Sequence, residues 1–128
     1  MIAGRKGGIA QMTLQEFYAS IDSSYDAVLG RLMKESFVLK YLKKYLNTTD
    51  VQDMLNALAE ENYPDAFRFA HNLKGMAANL ELQPLRQTAE VLCEALRPGK
   101  KPEIDITGMP EAVVAADAMI RERIGKLD

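Results

Sequence analysis

The sequence predicts an all-α fold, an antiparallel four-helix bundle preceded by one or two short helices at the N-terminus. Apolar residues recur at helical spacing along most of the 128 residues, and no stretch alternates apolar and polar residues as a half-buried strand would. Glycine and proline cluster at only two places, the start of the chain and one late loop. These residues are Gly4, Gly7, Gly8, Pro98, Gly99, Pro102, Gly108 and Pro110.

Composition limits both the size and the class of the protein. A chain of this length suits one domain with its own core, so we expect a flexible lead over residues 1–12 and a single domain over 13–128. Hydrophobic residues make up 48% and charged residues 27%, as in ordinary soluble proteins. The formal net charge of -2 argues against nucleic-acid binding, which depends on cationic contacts to phosphate.

Several classes of protein are excluded by what the chain lacks. One Cys forms no intrachain disulfide, and one His is too few for a zinc site, so no metal site is expected. No apolar run reaches the roughly 18 residues of a membrane span. The first residues lack the apolar segment of a secretory signal, so the cytoplasm is the expected location. An initial Met and a short lead favour a stand-alone protein.

Three helices are predicted before residue 50. Thr13 and Glu16 have the spacing of a capping box, so a short helix begins at Thr13 and ends between residues 20 and 24. Two apolar stripes follow, but the ten residues from Val28 to Val38 turn a helix by about 1000°, roughly 80° short of the same face. The helix is therefore expected to break at residues 34–36. The stripes are Tyr25, Val28, Leu29 and Leu32, and then Val38, Leu39, Leu42 and Leu46.

Four further helices are predicted from their start signals. The polar segment 47–50 ends one helix and caps the next, and the segment 62–65, with Pro64 in a first turn, begins a helix that runs to about Leu80. Pro84 opens the sixth helix, residues 97–108 form a loop, and the last helix starts near Met109 or Pro110. The apolar stripes are Val51, Leu55 and Leu58; Leu85, Ala89, Leu92, Cys93 and Leu96; and Val113, Ala116, Ile120 and Ile124.

His71, the one histidine of the chain, is predicted to be exposed. On a helical wheel with His71 at zero, the apolar residues of its helix cluster around 200°, roughly opposite the imidazole. A solvated imidazole is largely neutral near neutral pH, and the neutral ring is the nucleophilic form. The alternative is a histidine held in the core or at its boundary. The apolar face comprises Ala66, Phe69, Ala70, Leu73, Met76, Ala77 and Leu80.

The neighbours of His71 on the wheel suggest an open surface. Gly75 lies one turn on, in the middle of a helix, where glycine costs about 1 kcal/mol relative to alanine. A residue without Cβ leaves the imidazole accessible to a large partner, and Ala78 continues the shallow surface. Lys74 at i+3 and Arg68 at i−3 lie within reach of an anion on His71. The alternatives are a packing glycine and a lysine that is merely solvated.

These residues resemble the signature of histidine-containing phosphotransfer (HPt) domains, in which the histidine lies on a central helix of a four-helix bundle. The resemblance covers about residues 25 to 125. It implies that His71 accepts a phosphoryl group from a receiver-domain aspartyl phosphate or a sensor kinase and passes it to a response regulator. It also implies that Lys74 lies beside the phosphate and that Gly75 gives the partner access. The signature comprises His71, Leu73, Lys74 and Gly75, followed by Ala77, Leu80 and Leu85.

The chain departs from the family pattern at two positions. Glu81 stands where the family often has a glycine after the histidine helix. A left-handed Glu81 would cost about 1 kcal/mol or more, so we expect Asn79 or a different turn to serve instead. Met76 stands where a small residue often follows the signature glycine.

No motif for independent catalysis is present. The chain has neither a phosphate-binding G-x-x-x-x-G-K-[ST] loop nor a G-x-G-x-x-G loop. We therefore expect a phosphoryl carrier with no cofactor rather than a self-sufficient enzyme. A metal ion and an acidic pocket would come from the partner.

Residues for partner docking are predicted near the histidine. The candidates are Phe67, Arg68, Ala78, Phe37 and Tyr41, with Tyr45 as a further possibility. For the tyrosines, the alternative is ordinary boundary packing. A small basic patch of Lys40, Lys43 and Lys44 either steers an acidic partner or is simply a solvated face. Cys93 completes an apolar stripe and is expected to be a core thiol.

Two other functions remain open. A helical adaptor would bind a signalling partner without phosphotransfer, with His71 buried or inert. A metal-dependent bundle enzyme would need several inward-facing ligands that the predicted faces do not supply. For the leading hypothesis the partners are a receiver domain and a sensor kinase, with neither nucleic acid nor membrane, and the protein is expected to be a monomer.

Overall fold

Seven α-helices form the regular structure of the chain in the computed structural model, which describes residues 11–97 and 99–127. Within those ranges the only β-pairing is an isolated parallel bridge between Met12 and Leu127. The all-α prediction is therefore confirmed. The helices are α1 (Leu14–Ser20), α2 (Tyr25–Leu32), α3 (Glu35–Tyr45), α4 (Asp50–Ala59), α5 (Tyr63–Asn79), α6 (Gln83–Leu96) and α7 (Met109–Ile124).

Helices α4 to α7 form the predicted four-helix bundle. Each packs on the next in the chain, and α7 closes the ring against α4. Turns of three residues join α4 to α5 and α5 to α6, which leaves antiparallel packing as the available arrangement. Every member of the stripes predicted on α6 and α7 is buried, including the Cys93 thiol. On α4 the buried face is centred on Met54 and Ala57, and the predicted stripe residues Val51, Leu55 and Leu58 are half-buried at its edge.

The first helix begins as its capping box predicts. The Glu16 backbone N–H donates to Thr13 Oγ1 over 3.1 Å, and the Thr13 N–H donates to Glu16 Oε1 over 2.9 Å. Most of the expected lead, residues 1–10, lies outside the described residues. At its end, the Met12 N–H donates to the Lys126 carbonyl over 2.6 Å, which brings the start of the described chain to the end of α7.

The predicted break between the second and third helices occurs at residues 33 and 34. Met33 adopts a positive φ of 75° and Lys34 is extended, so the chain changes direction one residue earlier than the sequence indicated. The side chain of Met33 is 79% exposed. Three helices, α1 to α3, thus precede the bundle where one or two short ones were expected, and the third is eleven residues long.

Tyr45, on α3, is not an exposed docking residue, as one interpretation of the sequence had it, but is 1% exposed. Its hydroxyl donates to the buried carboxylate of Asp117 on α7. Arg121 donates to the same carboxylate over 3.0 Å and to the Leu46 and Thr48 carbonyls over 2.8 and 3.0 Å. The aromatic ring is buried because this polar network satisfies its hydroxyl and fixes the end of α3 against α7.

Candidate functional site

His71 lies near the middle of α5 on the face turned away from the core. Its side chain is exposed, whereas Ala70 and Leu73 on either side are fully buried, which confirms the prediction from the helical wheel. Within the part of the chain that the structure describes, neither ring nitrogen has a hydrogen bond or an ion pair. The nearest ring is that of Phe67, one turn earlier, with centroids 6.0 Å apart and planes inclined by 41°. Both ring nitrogens are therefore open to a ligand.

The surface beyond His71 is shallow. Gly75 is exposed, and apart from the backbone of its own helix and its chain neighbours, a Cβ added there would meet no described atom within 4 Å. Gly75 is thus not a packing glycine, because no neighbouring helix approaches it. Ala78, one turn further, is half-buried and presents only a methyl group. An approaching molecule would meet little side-chain bulk on the C-terminal side of the imidazole.

The two cations one turn from His71 differ in how they are engaged. Arg68 lies 3.5 Å from Asp65, and its guanidinium is 4.4 Å from the centre of the Phe69 ring. Lys74 is half-buried and forms no ion pair among the described residues. Burial raises the pKa of the Cys93 thiol on α6, and the Lys74 charge partly opposes that rise. Lys74 is therefore the cation that is free to respond to a new anion.

A third cation near the site was missed by the sequence analysis. The Arg97 guanidinium lies 5.2 Å from the centre of the Phe67 ring and pairs with Glu94 over 3.2 Å. Phe67 itself is half-buried, and its ring lies close to both Arg97 and His71. The sequence pattern around His71 could not have indicated Arg97, because Arg97 lies 26 residues further along the chain and reaches the site through the packing of α6 on α5.

The turn after α5 corrects another expectation. Glu81 itself adopts the left-handed conformation, with φ of 55°, where Asn79 or a different turn was expected. The Glu81 and Leu82 N–H groups donate to the Ala78 and Ala77 carbonyls, as in a helix end usually closed by glycine. The side chain of Arg31 explains the tolerance, since it lies 3.5 Å from the Glu81 carboxylate and donates to the carbonyls of Ala78 and Asn79.

The remaining predicted docking residues lie on two different parts of the surface. Phe67, Arg68 and Ala78 share the face of His71 on α5. Tyr41, from α3, lines a cavity of about 210 Å³ together with residues of the last turns of α5. Phe37 is exposed one turn earlier on α3. The structure therefore places the α3 candidates towards the C-terminal end of α5 rather than around the imidazole.

The chemistry available at this surface is that of a lone nucleophile. An accessible imidazole with one free cation can accept and hold a small anion-forming group. None of the described side chains around His71 forms an acid or base partner to it, so activation of a substrate depends on the other molecule.

Comparison with known proteins gives one match. A family model described as the Hpt domain matches residues 46–122, which is more than half of the chain and includes His71. Searches of the curated proteins and of the solved structures return no match. Within residues 11–97 and 99–127, no helix is both long and apolar enough to cross a bilayer.

Proposed function

The chain belongs to the Hpt domain family, and on that premise we propose that it is a phosphorelay carrier whose phosphoacceptor is His71. Members of this family transfer phosphoryl groups through a histidine. His71 is the single histidine of the whole chain, and it lies within the matched segment. The observation that carries the proposal is its exposure on α5, with neither ring nitrogen engaged by any of the residues that the structure describes.

The proposed reaction needs only the imidazole from this chain. A lone pair on one ring nitrogen attacks the phosphorus of an aspartyl phosphate, the N–P bond forms, and the P–O bond to the aspartate breaks with its electron pair leaving on the carboxylate oxygen. The other ring nitrogen retains its proton. Transfer to the next receiver is the reverse, with a receiver carboxylate as the nucleophile. The metal ion and the acidic pocket belong to the partner.

The neighbours of His71 have separate proposed roles. Lys74 lies beside the phosphoryl group and offsets its charge, which suits a cation that forms no ion pair with any described residue. Gly75 keeps the approach to the imidazole clear, in line with the open space around it. Phe67, Arg68 and Ala78 form the rim that a receiver covers, and Phe37 and Tyr41 extend that contact. A sensor kinase, a response regulator and a cytoplasmic location are part of the same proposal, as is a monomeric domain over residues 13–128.

The proposal is tested by charging the purified protein with phosphoramidate, a small phosphoryl donor that needs no docking surface. Intact mass should show one added phosphoryl group that is lost in acid, and His71→Gln should show none. Circular dichroism and the melting temperature of His71→Gln should match the parent because the side chain is exposed. If the parent stays unmodified under conditions that charge a known Hpt domain, the phosphocarrier proposal is wrong, and the adaptor function is the one that the fold supports.

A further inference from the structure

The outward side of α3 carries a row of cations and aromatic rings. We call it the α3 stripe, and it comprises Lys34, Phe37, Lys40, Tyr41 and Lys44. Apart from the adjacent pair Lys40 and Tyr41, its members recur every three or four residues, and all five fall within about 120° of the helix circumference. Each of them is exposed, while Val38 and Leu42 on the opposite side are fully buried. The stripe thus has no role in the core of the protein.

The lysines of the stripe have no acidic partner among the described residues. Their ammonium groups lie instead over the aromatic rings, with Lys34 at 5.5 Å from the centre of Phe37 and with Lys40 and Lys44 at 5.9 and 5.7 Å from that of Tyr41. Lys43 adds a further exposed cation beside them. In a chain of net charge -2, this local excess of positive charge is complementary to an acidic surface.

Exposed apolar surface is concentrated on the same segment. Six large hydrophobic side chains are classed as exposed in the described part of the chain, and three of them belong to or adjoin α3. Phe37 is 42% exposed, Tyr41 is 37% exposed, and Met33 precedes them. Aromatic residues are enriched in the core of protein interfaces, and the rim around such a core is polar and accessible to solvent.

The α3 stripe adjoins the surface around His71. Tyr41 and Lys44 line one cavity together with Met76 and Asn79 from the last turns of α5. Asn79 follows His71 by eight residues, which is about 12 Å along a helix axis. A standard interface covers about 800 Å² on each partner, a patch with a radius of roughly 16 Å. A protein centred on His71 therefore reaches the near end of the stripe.

We propose that the α3 stripe is a docking surface for an acidic receiver domain, which it draws towards His71. The inference rests on the proposed function and deepens it, because it assigns the attraction of the partner to lysines of α3, a helix that precedes the matched segment beginning at residue 46. The lysines raise the rate of encounter with the acidic partner, and the two rings supply the apolar contact once it is bound. Continuity with the His71 surface favours a protein over an anionic membrane as the occupant.

Two double variants with equal loss of charge test the proposal. Lys40→Gln/Lys44→Gln removes two charges from the stripe, and Lys100→Gln/Lys101→Gln removes two from the loop after α6. That loop lies at the other end of α5, where Gly99 packs against Pro64, seven residues before His71. Its distance from His71 is thus similar to that of the near end of the stripe, so it controls for the loss of charge near His71 outside the stripe. Each protein is charged with phosphoramidate and mixed with purified receiver domains that range from acidic to basic, at low and high salt.

We expect the stripe variant to accept phosphoramidate as the parent does, but to transfer to acidic receivers about 10-fold more slowly at low salt. The difference should disappear at high salt and with basic receivers, and the loop variant should behave like the parent. Equal rates for all three proteins, or equal slowing in both variants, would overturn the docking proposal while leaving the phosphoacceptor intact.

Two further results separate the alternatives. Binding of the parent to phosphatidylserine vesicles, lost in the stripe variant while its transfer rates stay unchanged, would assign the stripe to a membrane and overturn the proposal. Failure of the parent itself to accept phosphoramidate would instead count against the proposed function, and would be seen before any receiver is added.

Discussion

The Arg31 guanidinium donates a hydrogen bond of 2.9 Å to the carbonyl of Asn79, the last residue of the helix that carries His71. The same nitrogen lies 3.0 Å from the Ala78 carbonyl and 3.5 Å from the Glu81 carboxylate. The last carbonyls of a helix lack partners within the helix and form its negative end. A cation from α2, outside the bundle, therefore completes the end of the histidine helix.

Loss of this contact should weaken the end of α5. We expect Arg31→Ala to lower the free energy of unfolding by about 1 kcal/mol, because it removes hydrogen bonds and a charge at the negative helix end. Arg31→Lys keeps the charge but not the forked geometry of the guanidinium, so its free energy of unfolding should lie between those of the parent and Arg31→Ala. Urea unfolding measures both, and an unchanged midpoint for Arg31→Ala would show that water replaces the guanidinium without cost.

Glu81 tests how the turn tolerates a non-glycine residue at positive φ. Replacing it with glycine relieves a conformational cost of about 1 kcal/mol but removes the contact with Arg31. In the Arg31→Ala background that contact is already gone, so Glu81→Gly should stabilise the protein by close to the full amount there. In the parent the gain should be smaller. Four urea titrations complete this cycle, and identical gains in both backgrounds would contradict the coupling between the two residues.

The faces of α6 and α7 and the exposure of His71 could be predicted because each depends on the periodicity of one helix. The hydrophobic stripe of α6, for example, fixes its orientation wherever its neighbours lie. The capping box of α1 is equally local, since Thr13 and Glu16 are three residues apart. Features that depend on a single turn or helix can thus be predicted from the sequence without knowledge of any tertiary contact.

Tyr45 and Arg97 could not be predicted, because their environments come from distant parts of the chain. Tyr45 is buried since Asp117, 72 positions away, accepts its hydrogen bond. Arg97 reaches the site only because α6 packs antiparallel to α5. The left-handed Glu81 belongs to the same group, as the cation that compensates it arrives from α2. Local propensity gives the cost of such a conformation but not what offsets it.

Gly75 should tolerate a methyl group in the folded state. Since an added Cβ would lie in open space, Gly75→Ala should raise the free energy of unfolding by about 1 kcal/mol through helix propensity alone. Gly75→Leu should also fold, yet slow transfer to a receiver far more than charging by phosphoramidate, because only the larger partner meets the new side chain. Comparable slowing with both donors would argue against the proposed role in access.

Lys74 is expected to act on the phosphorylated state. Lys74→Ala should shorten the lifetime of the phosphohistidine or slow its transfer, since it removes a cation one turn from His71 that pairs with none of the described carboxylates. Arg68→Ala is the matched control, one turn on the other side of His71, where Asp65 and the Phe69 ring already engage the guanidinium. Decay of the acid-labile mass over time gives the lifetimes. Equal lifetimes and equal transfer rates for Lys74→Ala and the parent would show that Lys74 is only a solvated surface residue.

Two buried tyrosines should make the fold sensitive to alkali. Burial is the main cause that raises the pKa of Tyr18, with the Glu81 carboxylate adding to the rise and Arg31 opposing it. Burial also raises the pKa of Tyr45, and the hydrogen bond to Asp117 raises it further. In the unfolded chain a phenol titrates near pH 10, roughly its ordinary value. Above that pH the unfolded state loses protons that the folded state retains.

The free energy of unfolding should therefore be constant with respect to these groups below about pH 9, and fall as the pH rises above about 10. Each tyrosine contributes a slope of up to about 1.4 kcal/mol per pH unit. Tyr45→Phe should be less stable at neutral pH, because Asp117 loses a donor, but its stability should fall less steeply in alkali. Tyr41→Phe, which removes an exposed phenol on the same helix, is the control. Urea titrations from about pH 8 to 11 measure these slopes, and a Tyr45→Phe slope as steep as that of the parent would show that Tyr45 ionises without unfolding.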